Sequence, residues 1–336
     1  MSQTTNVCLT GATGYLGGAT LQLLMQMPNL AITALVRDEQ KAAKLEQFGI
    51  KTVIGSLDDS ALVEAESAKA DAVFQNAAYD HINGVNALLR GAKARFERSG
   101  KQSIFIQTAG TAIFGKLDAM GDPASGPALS DIDPNLYDHK NALPYSAIND
   151  ALIAADSEGF VRTYIVFPSV VYGTLKGPLV DAGIAHAYSL AIAVAVKLSI
   201  QRGQGAMVVP GLNRWSGVHV DDAAEFYKLV FERALANEAP HGAQGNYVLE
   251  NCDFNFKDAA ERYTAILHAH GKSANAEPEA FTAAEIERNP IMTLLGVDIR
   301  IKGDRARALG WRPTHGVEEF FESVREDTEA ILAGKN

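Results

Sequence analysis

The segment "VCLTGATGYLGGATLQLLMQM", from Val7 to Met27, constrains the fold more than any other part of the chain. A short apolar run leads into a turn with Gly11, Gly14 and Gly17, and apolar residues at helical spacing follow. This order predicts a buried parallel strand, a tight turn and a helix. Glycines let the backbone approach a phosphate closely, and a helix N-terminus presents free N–H groups and partial positive charge to an anion. The segment therefore predicts a phosphate-binding turn.

Strand and helix patterns alternate through the first half of the chain. After the first strand, the apolar runs that predict strands are "AITALV" (31–36), "KTVIGSL" (51–57), "DAVFQNAA" (71–78), "QSIFIQTAG" (102–110) and "VRTYIVF" (161–167). Helical patterns fill the intervals, and Gly49 follows the second helix where a C′ glycine is expected. Repeated units of this kind predict an α/β fold, a Rossmann-type doubly wound parallel sheet whose ligands bind at the carboxyl ends of the strands.

The alternation stops after Gly115. Residues 116–144 are rich in Gly, Pro, Asp and Asn, which predicts a long loop over the site. We predict a dinucleotide-binding domain over residues 1–175 and a smaller, mainly helical substrate lobe over 176–336, with segments near 205–250 returning to the first domain. The apolar stretch Ile184–Ile200 predicts a buried or dimer-facing helix, because it is too short and too polar to span a bilayer.

Composition narrows the possible partners and compartments. The formal net charge of −10 argues against nucleic acids and anionic membranes as partners and leaves a small-molecule substrate. Two distant cysteines, Cys8 and Cys252, make neither a disulfide framework nor a metal site, so no metal is expected. The first strand begins after a few polar residues, which leaves no room for a targeting segment and predicts a cytoplasmic protein.

The end of the second predicted strand indicates which nucleotide binds. A carboxylate at this position would accept hydrogen bonds from the adenosine ribose and would repel a 2′-phosphate. The chain instead has Arg37, with Lys41 and Lys44 on the following helix. A guanidinium can bind a 2′-phosphate through charge-assisted hydrogen bonds, so we expect NADPH in preference to NADH. The alternative is that Arg37 is an ordinary exposed arginine.

Several stretches resemble the extended (atypical) short-chain dehydrogenase/reductase superfamily, whose members include NAD-dependent epimerases and dehydratases. They are "TGATGYLGG", "VFQNAA", "VFPSVVYGTLKGP", "WSGVHVDDAAEFYKLVFERA" and "RARALGWRPTHGVEEFFESV". The segment "LVRDEQKAAKLEQFGIKTVIGSLDD" is most similar to the dihydroflavonol-reductase-like and NmrA-like branches. The resemblance implies a seven-stranded Rossmann sheet with a C-terminal substrate lobe, and many such proteins form homodimers. The cofactor-binding residues that the turn and the resemblance together predict are Gly11, Thr13, Gly14, Tyr15, Leu16, Gly17, Arg37, Lys44, Leu57, Ala77, Ala78, Tyr79, Pro168 and Val170.

The resemblance also implies a catalytic arrangement, which this chain matches only in part. Tyr145 occupies the acid/base position, and Thr108 the position of the hydroxyl that binds the reacting oxygen, with Thr111 as a second candidate. The family's lysine, four residues after the tyrosine, is replaced by Asn149. A cation about 4 Å away would favour the phenolate by about 4 kcal/mol at an effective dielectric near 20. Without it, Tyr145 should donate a proton as a neutral phenol.

Other residues near the expected site have alternative interpretations. Lys140 or His139 could replace the missing cation, although both lie in a loop that is expected to be solvated. Tyr137 is a rival phenol, and His81 could either contact the nicotinamide or cap a helix. Two further features of the family-like stretches carry no catalytic prediction. Phe167 replaces an arginine of the family pattern, which disfavours a sugar-nucleotide substrate held by that strand. His219, Asp221 and Asp222 resemble a family motif that orients the C-terminal lobe.

Three functions fit these observations. The first is NADPH-dependent reduction of a small, fairly apolar carbonyl, imine or activated double bond. The second is a sugar-nucleotide epimerase or dehydratase that recycles bound NAD, which Arg37 and the missing lysine disfavour. The third is an NADP-binding regulator of the NmrA-like type that has lost catalysis, which the missing lysine suggests. The substrate lobe together with Thr108 and Tyr145 favours the reductase.

Overall fold

A computed structural model describes residues 4–143, 145–289 and 291–335. The strands are β1 (Thr5–Thr10), β2 (Leu30–Val36), β3 (Lys51–Ile54), β4 (Ala72–Gln75), β5 (Ser103–Thr108), β6 (Leu129–Ser130), β7 (Val161–Pro168), β8 (Val170–Tyr172), β9 (Ala206–Met207), β10 (Arg214–His219), β11 (Asn246–Leu249), β12 (Cys252–Asn255), β13 (Glu279–Ala280) and β14 (Ile301–Lys302). The helices are α1 (Tyr15–Leu24), α2 (Glu39–Gln47), α3 (Ser60–Ser67), α4 (Ile82–Ser99), α5 (Ser146–Ser157), α6 (Pro178–Asp181), α7 (Ala191–Arg202), α8 (Val220–Leu235), α9 (Phe256–Ala269), α10 (Ala283–Arg288), α11 (Ile291–Leu295), α12 (Asp304–Leu309) and α13 (Val317–Leu332).

Seven parallel strands form the central sheet in the order β11-β7-β5-β4-β1-β2-β3. The order reverses direction at β1, so the carboxyl ends of β1 and β4 border the crevice where a doubly wound sheet binds its ligand. The central strands β4, β5 and β7 are short apolar runs buried on both faces, as the sequence predicts for a parallel sheet. The predicted α/β Rossmann fold is confirmed.

Helices cover both faces of this sheet. One core joins the sheet to α1, α2 and α8, and a second core on the opposite face joins it to α3, α4 and α5. Asp38 caps α2 by accepting hydrogen bonds from the N–H groups of Gln40 and Lys41, at 2.8 and 3.0 Å. The predicted C′ glycine, Gly49, has φ of +79° directly after that helix. These local features fix where α2 begins and ends at the edge of the sheet.

The C-terminal part is built around its own small sheet, β12-β10-β8, and a third core that includes α7, α9 and α13. Three elements of the second half of the chain contribute to the first domain: β11 joins the central sheet, and α8 and α12 pack against it.

Of the predicted loop 116–144, residues 116–143 are described, and they form hydrogen bonds with the C-terminal segment. Lys116 bridges Asp298, the Gly121 N–H donates to the Gly296 carbonyl at 2.8 Å, and β6 pairs with β14. Met1, Pro144 and Asn336, which the predicted boundaries include, lie outside the described residues.

The helix predicted over Ile184–Ile200 begins only at Ala191, so this prediction is wrong for its first seven residues. The reason is that their polar groups bond to a neighbouring segment. The Ala187 carbonyl accepts the Leu175 N–H at 2.8 Å, and the Ser189 hydroxyl donates to the Val171 carbonyl at 2.6 Å. Within residues 4–143, 145–289 and 291–335, no helix is long and apolar enough to cross a membrane.

Candidate dinucleotide-binding and catalytic site

The glycine turn between β1 and α1 has the close packing that its sequence predicts. Gly11 has φ of +78°, and a Cβ on it would lie 2.6 Å from the Asn76 carbonyl carbon. A Cβ on Gly17 would lie 2.1 Å from the Gly11 carbonyl oxygen. The Gly14 N–H donates to that same oxygen at 2.9 Å. Side chains are therefore excluded at Gly11 and Gly17, and the turn holds its backbone against the end of β4.

The N-terminus of α1 is open to a ligand. Gly14 stands at its N-cap and supplies no side-chain acceptor, so the first N–H groups of α1 are available to an anion. Thr13 and Leu16 flank this position and are partly exposed. Tyr15 points away from it, because its hydroxyl donates to the Gly173 carbonyl. Burial raises the pKa of the Tyr15 phenol, which stays neutral and ties the turn to the segment after β8.

The structure places Arg37 directly after β2 with an exposed side chain. The neighbouring carboxylate, Asp38, is occupied in capping α2, so it does not neutralise the guanidinium by a direct hydrogen bond. Lys44 lies farther along α2, and its ammonium donates to the Ala182 carbonyl at 2.8 Å. Leu57 is buried beyond β3 against the first turn of α4. Of the two predicted cations, Arg37 is therefore the one at the edge of the sheet, and Lys44 holds a loop.

The segment after β4 is held by buried polar side chains. The Ala77 N–H donates to the Gln75 side-chain oxygen at 3.2 Å, and the Gln75 amide nitrogen donates to the Ala78 carbonyl at 3.3 Å. Thr10 in β1 bonds to the same Gln75 oxygen. The next residue, Tyr79, is 46% exposed. This network fixes Ala77 and Ala78 beside the glycine turn and places Tyr79 at the carboxyl edge.

Tyr145 lies at the start of α5 and packs edge-to-face on Tyr79, with 5.0 Å between ring centroids. Only 7% of Tyr145 is exposed. Burial, with a smaller contribution from the neighbouring Tyr79 phenol, raises the pKa of Tyr145 above its ordinary value near 10. Tyr145 is therefore a neutral phenol at the same edge of the sheet as the glycine turn.

Four buried polar atoms near this edge have no hydrogen-bond partner among the described residues. They are Asn76 Nδ2, Gln107 Oε1, Asn149 Nδ2 and Ser169 Oγ. Asn76 follows β4, Gln107 is the next-to-last residue of β5 and Ser169 follows β7. Three of these atoms therefore lie at the carboxyl ends of adjacent strands. Buried polar groups of this kind cost free energy unless something else satisfies them. The ribose hydroxyls and carboxamide of a dinucleotide have suitable donors and acceptors, so the residues present fit such a group.

Asn149 is 1% exposed and lies one helical turn after Tyr145. Its free amide nitrogen can donate a hydrogen bond to a ribose hydroxyl but cannot stabilise a phenolate by charge. Pro168 and Val170 are buried on either side of Ser169, at the point where the chain passes from β7 to β8. Asn76, Gln107 and Ser169 were not among the predicted site residues, because the sequence alone does not show that their polar atoms lack partners.

The Thr108 hydroxyl, at the carboxyl end of β5, has two side-chain partners. It bonds to the Tyr227 hydroxyl at 2.6 Å and to the Asn76 side-chain oxygen at 3.1 Å. Tyr227 belongs to the core on the α1 and α8 face, whereas Tyr145 belongs to the core on the opposite face. The Thr108 hydroxyl therefore belongs to a network that includes Asn76, and its role beside the reacting oxygen stays a prediction. Thr111 is buried in a short 3₁₀ turn, Thr111–Phe114, that follows β5.

The alternative acids and cations have other partners. The His81 ring accepts the Gly84 N–H at Nδ1 and contacts Asp58 at Nε2, both at 2.9 Å, so His81 caps α4. The Tyr137 hydroxyl donates to the Asn246 side chain at 2.8 Å. Lys140 forms an ion pair with Asp150, at 2.6 Å, and not with Tyr145. The His139 side chain is exposed and lines a small cavity beside Phe114.

The residues of the family-like stretches for which no catalytic role is predicted have structural roles. Phe167 is fully buried and packs on Phe114, with 5.3 Å between ring centroids. Asp222 accepts the backbone N–H groups of Thr314 and His315, and so attaches the C-terminal segment to α8. His219 caps α8 through the Asp221 N–H. Within the described parts of the chain, no cluster of side chains is suited to hold a metal ion.

Comparison with known proteins agrees with this architecture. Residues 11–130 match a family model described as NAD(P)H-binding. An oxidase of Acremonium sp., ucsJ, is 27% identical over 353 residues, which cover 98% of this chain and 99% of the relative. An uncharacterised protein of Schizosaccharomyces pombe is 25% identical over 70% of this chain and 73% of its own length.

Solved structures share the fold along nearly the whole chain. A dTDP-glucose 4,6-dehydratase from Bacillus anthracis in complex with NAD is 15% identical, with a TM-score of 0.65 and 96% of each chain covered. A UDP-glucose 4-epimerase from Thermotoga maritima with UDP-glucose is 16% identical, with a TM-score of 0.64 and 97% and 99% of the two chains covered. Residues 11–130 therefore match an NAD(P)H-binding family model, and the whole chain shares its fold with these solved enzymes, which confirms the resemblance found in its motifs at the level of the fold.

Proposed function

We propose that the protein is an NADPH-dependent oxidoreductase that reduces a small, fairly apolar carbonyl, imine or activated double bond. The observation that carries the proposal is the buried phenol of Tyr145, which packs on Tyr79 at the carboxyl edge of the sheet and has Asn149 at the α5 position where the family resemblance implies a lysine. The exposed guanidinium of Arg37 after β2 supports the choice of NADPH over NADH.

Different residues of this chain bind the cofactor and donate the proton. The glycine turn and the N-terminus of α1 hold the pyrophosphate, Arg37 holds the 2′-phosphate, and Asn149 donates to a ribose hydroxyl. NADPH supplies a hydride when it is bound. Tyr145 donates its phenolic proton to the oxygen or nitrogen that becomes negatively charged, and it then takes a proton back from solvent. Because burial raises the pKa of Tyr145, reprotonation is favourable.

This arrangement favours reduction over oxidation. Oxidising an alcohol needs a base, and a phenol whose pKa is raised by burial rarely ionises near neutral pH. Reduction needs an acid, and the neutral phenol is one. A fairly apolar substrate is proposed because Tyr145 belongs to a mainly hydrophobic core and its ring lies against the half-exposed ring of Tyr79.

The experiment is a turnover assay with a matched pair of variants. Pure protein is incubated with NADPH and a panel of ketones, aldehydes, imines and activated alkenes, and loss of the reduced nicotinamide absorbance is followed. We expect turnover with at least one class. Tyr145→Phe should abolish it while leaving NADPH affinity unchanged, and the control Tyr164→Phe, which removes a buried hydroxyl that has no partner among the described residues, should retain it.

Three results would contradict the proposal. Selective NADPH binding without turnover of any class would favour an NADP-binding regulator. Protein that is purified with stoichiometric NAD⁺ would favour an epimerase or dehydratase. Full activity of Tyr145→Phe would place the proton donor elsewhere.

A further inference from the structure

Two histidine rings are stacked where the C-terminal segment meets the start of α8. His219 is the N-cap residue of α8, and His315 lies just before α13. Their ring centroids are 3.9 Å apart, and the ring planes are inclined by 18°. The Asp222 carboxylate lies 3.0 Å from His315 Nδ1 and also accepts the His315 backbone N–H at 3.0 Å. The histidine pair His219 and His315 therefore joins α8 to the segment that leads into α13.

His219 caps α8 with a ring nitrogen that accepts a hydrogen bond. The Asp221 N–H donates to His219 Nδ1 at 3.2 Å. A neutral imidazole with its proton on Nε2 can accept in this way, whereas a protonated ring has a hydrogen on both nitrogens and cannot. The Asp221 carboxylate lies 3.7 Å from the same nitrogen, so protonation would turn the ring from the N–H toward that carboxylate. The cap on α8 therefore depends on the charge of His219.

The groups around His219 favour its neutral form. Burial lowers the pKa of His219 below its ordinary value of 6.5, and His315 lowers it further. The carboxylates of Asp221, Asp222 and Glu319 raise this pKa but do not reverse the shift. A positive charge at a helix N-terminus is also unfavourable because of the helix dipole. The unfolded chain thus takes up this proton more readily than the folded chain, so folding stability is lost as pH falls below about 6.5.

The His219 ring also supports the segment that follows β8. A Cβ on Gly173 would lie 2.2 Å from His219 Nε2, so the Gly173 backbone packs directly on the ring. The Gly173 carbonyl accepts the hydroxyl of Tyr15, at the start of α1, and the Gly173 N–H donates to Ser323 of α13 at 2.9 Å. Tyr172 packs edge-on against His219, with 5.4 Å between ring centroids, and burial raises the pKa of Tyr172, which stays neutral. Gly173 thus contacts the histidine pair, the glycine turn and the C-terminal helix.

We propose that the histidine pair is a pH-sensitive clasp, which holds the segment after β8 against the glycine turn at neutral pH and opens in mild acid, so that the dinucleotide binds more weakly. When His219 is protonated, Nδ1 no longer accepts the Asp221 N–H, and its charge repels a charge on His315. The ring turns away from Gly173, which loses the surface on which it packs, and the bond from Tyr15 to Gly173 weakens. The clasp is independent of the reaction proposed above and of the choice between NADP and NAD.

The test measures the dinucleotide affinity of the full chain by calorimetry at about pH 7.5 and about pH 5.5, on either side of the ordinary histidine range. NAD⁺ and NADP⁺ are both titrated, because only NADP⁺ carries a phosphate monoester that itself titrates between these values. We expect the Kd to rise by about tenfold in acid, the change that one pKa unit of coupling gives. His219→Asn keeps a capping oxygen without a titratable ring and should remove most of this rise. The control His270→Asn, beside Glu329, should leave the rise unchanged.

A second readout follows the rings themselves and separates the clasp from general destabilisation by acid. His315→Gln keeps an N–H donor for Asp222 but carries no charge. In an NMR titration of the histidine rings, this variant should raise the pKa of His219, whereas His270→Asn should not change it. Thermal melting should show that the Tm falls below about pH 6.5 more steeply in the unmodified protein than in His219→Asn.

Three results would overturn the inference. They are a Kd that is equal at the two pH values, a rise in Kd that persists in His219→Asn, and a His219 pKa that does not respond to His315→Gln. If the unmodified protein binds neither dinucleotide at neutral pH, the proposed function fails instead. The NMR and melting experiments then still decide whether the clasp exists, and an equal fall of the Tm in His219→Asn would exclude it.

Discussion

Replacing Asn149 with lysine tests whether the missing cation sets the ionisation of Tyr145. Asn149 is 1% exposed and lies one turn after Tyr145 on α5, so a lysine there would bring an ammonium toward the phenol. At about 5 Å and an effective dielectric near 20, the attraction between ammonium and phenolate is about 3 kcal/mol, or about two pKa units. In the protein as it stands, burial raises the pKa of Tyr145. We expect Asn149→Lys to lower that pKa by about two units.

The assay is the near-ultraviolet absorbance of tyrosinate during an alkaline titration. The chain has ten tyrosines, and subtracting the titration of Tyr145→Phe isolates the phenol of interest. The matched control is Asn149→Met, which has a stem of similar size without the charge and should leave the pKa of Tyr145 raised. Thermal melting of both variants shows that the fold survives the change at a buried position. The reasoning would be refuted if the lysine and methionine variants gave the same tyrosine titration.

Three further predictions concern the turn, the network and a buried carboxyl. Gly17→Ala places a methyl group 2.1 Å from a backbone carbonyl oxygen, so urea denaturation should show that the free energy of unfolding falls by about 1–3 kcal/mol, and fluorescence titration should show weaker NADPH binding. The control Gly316→Ala, whose Cβ would lie 3.8 Å from its nearest neighbour, should change neither quantity. Thr108→Val leaves the buried Tyr227 hydroxyl without its partner and should lower the free energy of unfolding by about 1–3 kcal/mol in urea denaturation. Adding Tyr227→Phe to the same chain should recover most of this loss, whereas additive losses in the double variant would contradict the network. Burial raises the pKa of Asp327 from 3.8 to about 7. Between these pH values the folded state binds more protons than the unfolded state, so its stability falls as pH rises through them. Asp327→Asn should therefore raise the Tm at about pH 8 and have little effect at about pH 4, and an equal shift of the Tm at both pH values would contradict this explanation.

The sequence predicted the parts of the fold that local chemistry determines. Apolar runs mark the strands β1 to β5 and β7, and the glycine turn follows from the spacing of Gly11, Gly14 and Gly17. Helix ends were predictable where one residue decides them, as with Gly49 after α2. The resemblance of the motifs to the superfamily then predicted the seven-stranded sheet and the C-terminal lobe, because those motifs span nearly the whole chain.

The partners of polar side chains were not predictable. The Thr108 hydroxyl bonds to Tyr227, which lies 119 residues away in sequence, and no local pattern indicates that pairing. The helix predicted from Ile184 fails in its first part because Ala187 bonds to the segment after β8 and Ser189 bonds to β8 itself. Ser169 belongs to the site only because its buried hydroxyl has no partner among the described residues, which is a property of the folded chain. The site is thus more dependent on tertiary contacts than the fold is.

A calorimetric titration with NADPH and NADH tests the central claim most directly. The claim is that the guanidinium of Arg37 selects the phosphorylated cofactor. We predict that the unmodified protein binds NADPH more tightly than NADH by about 1.5–3 kcal/mol, and that Arg37→Ala removes the difference by weakening NADPH alone. Equal affinities for the two cofactors in the unmodified protein, or an unchanged preference in Arg37→Ala, would contradict it.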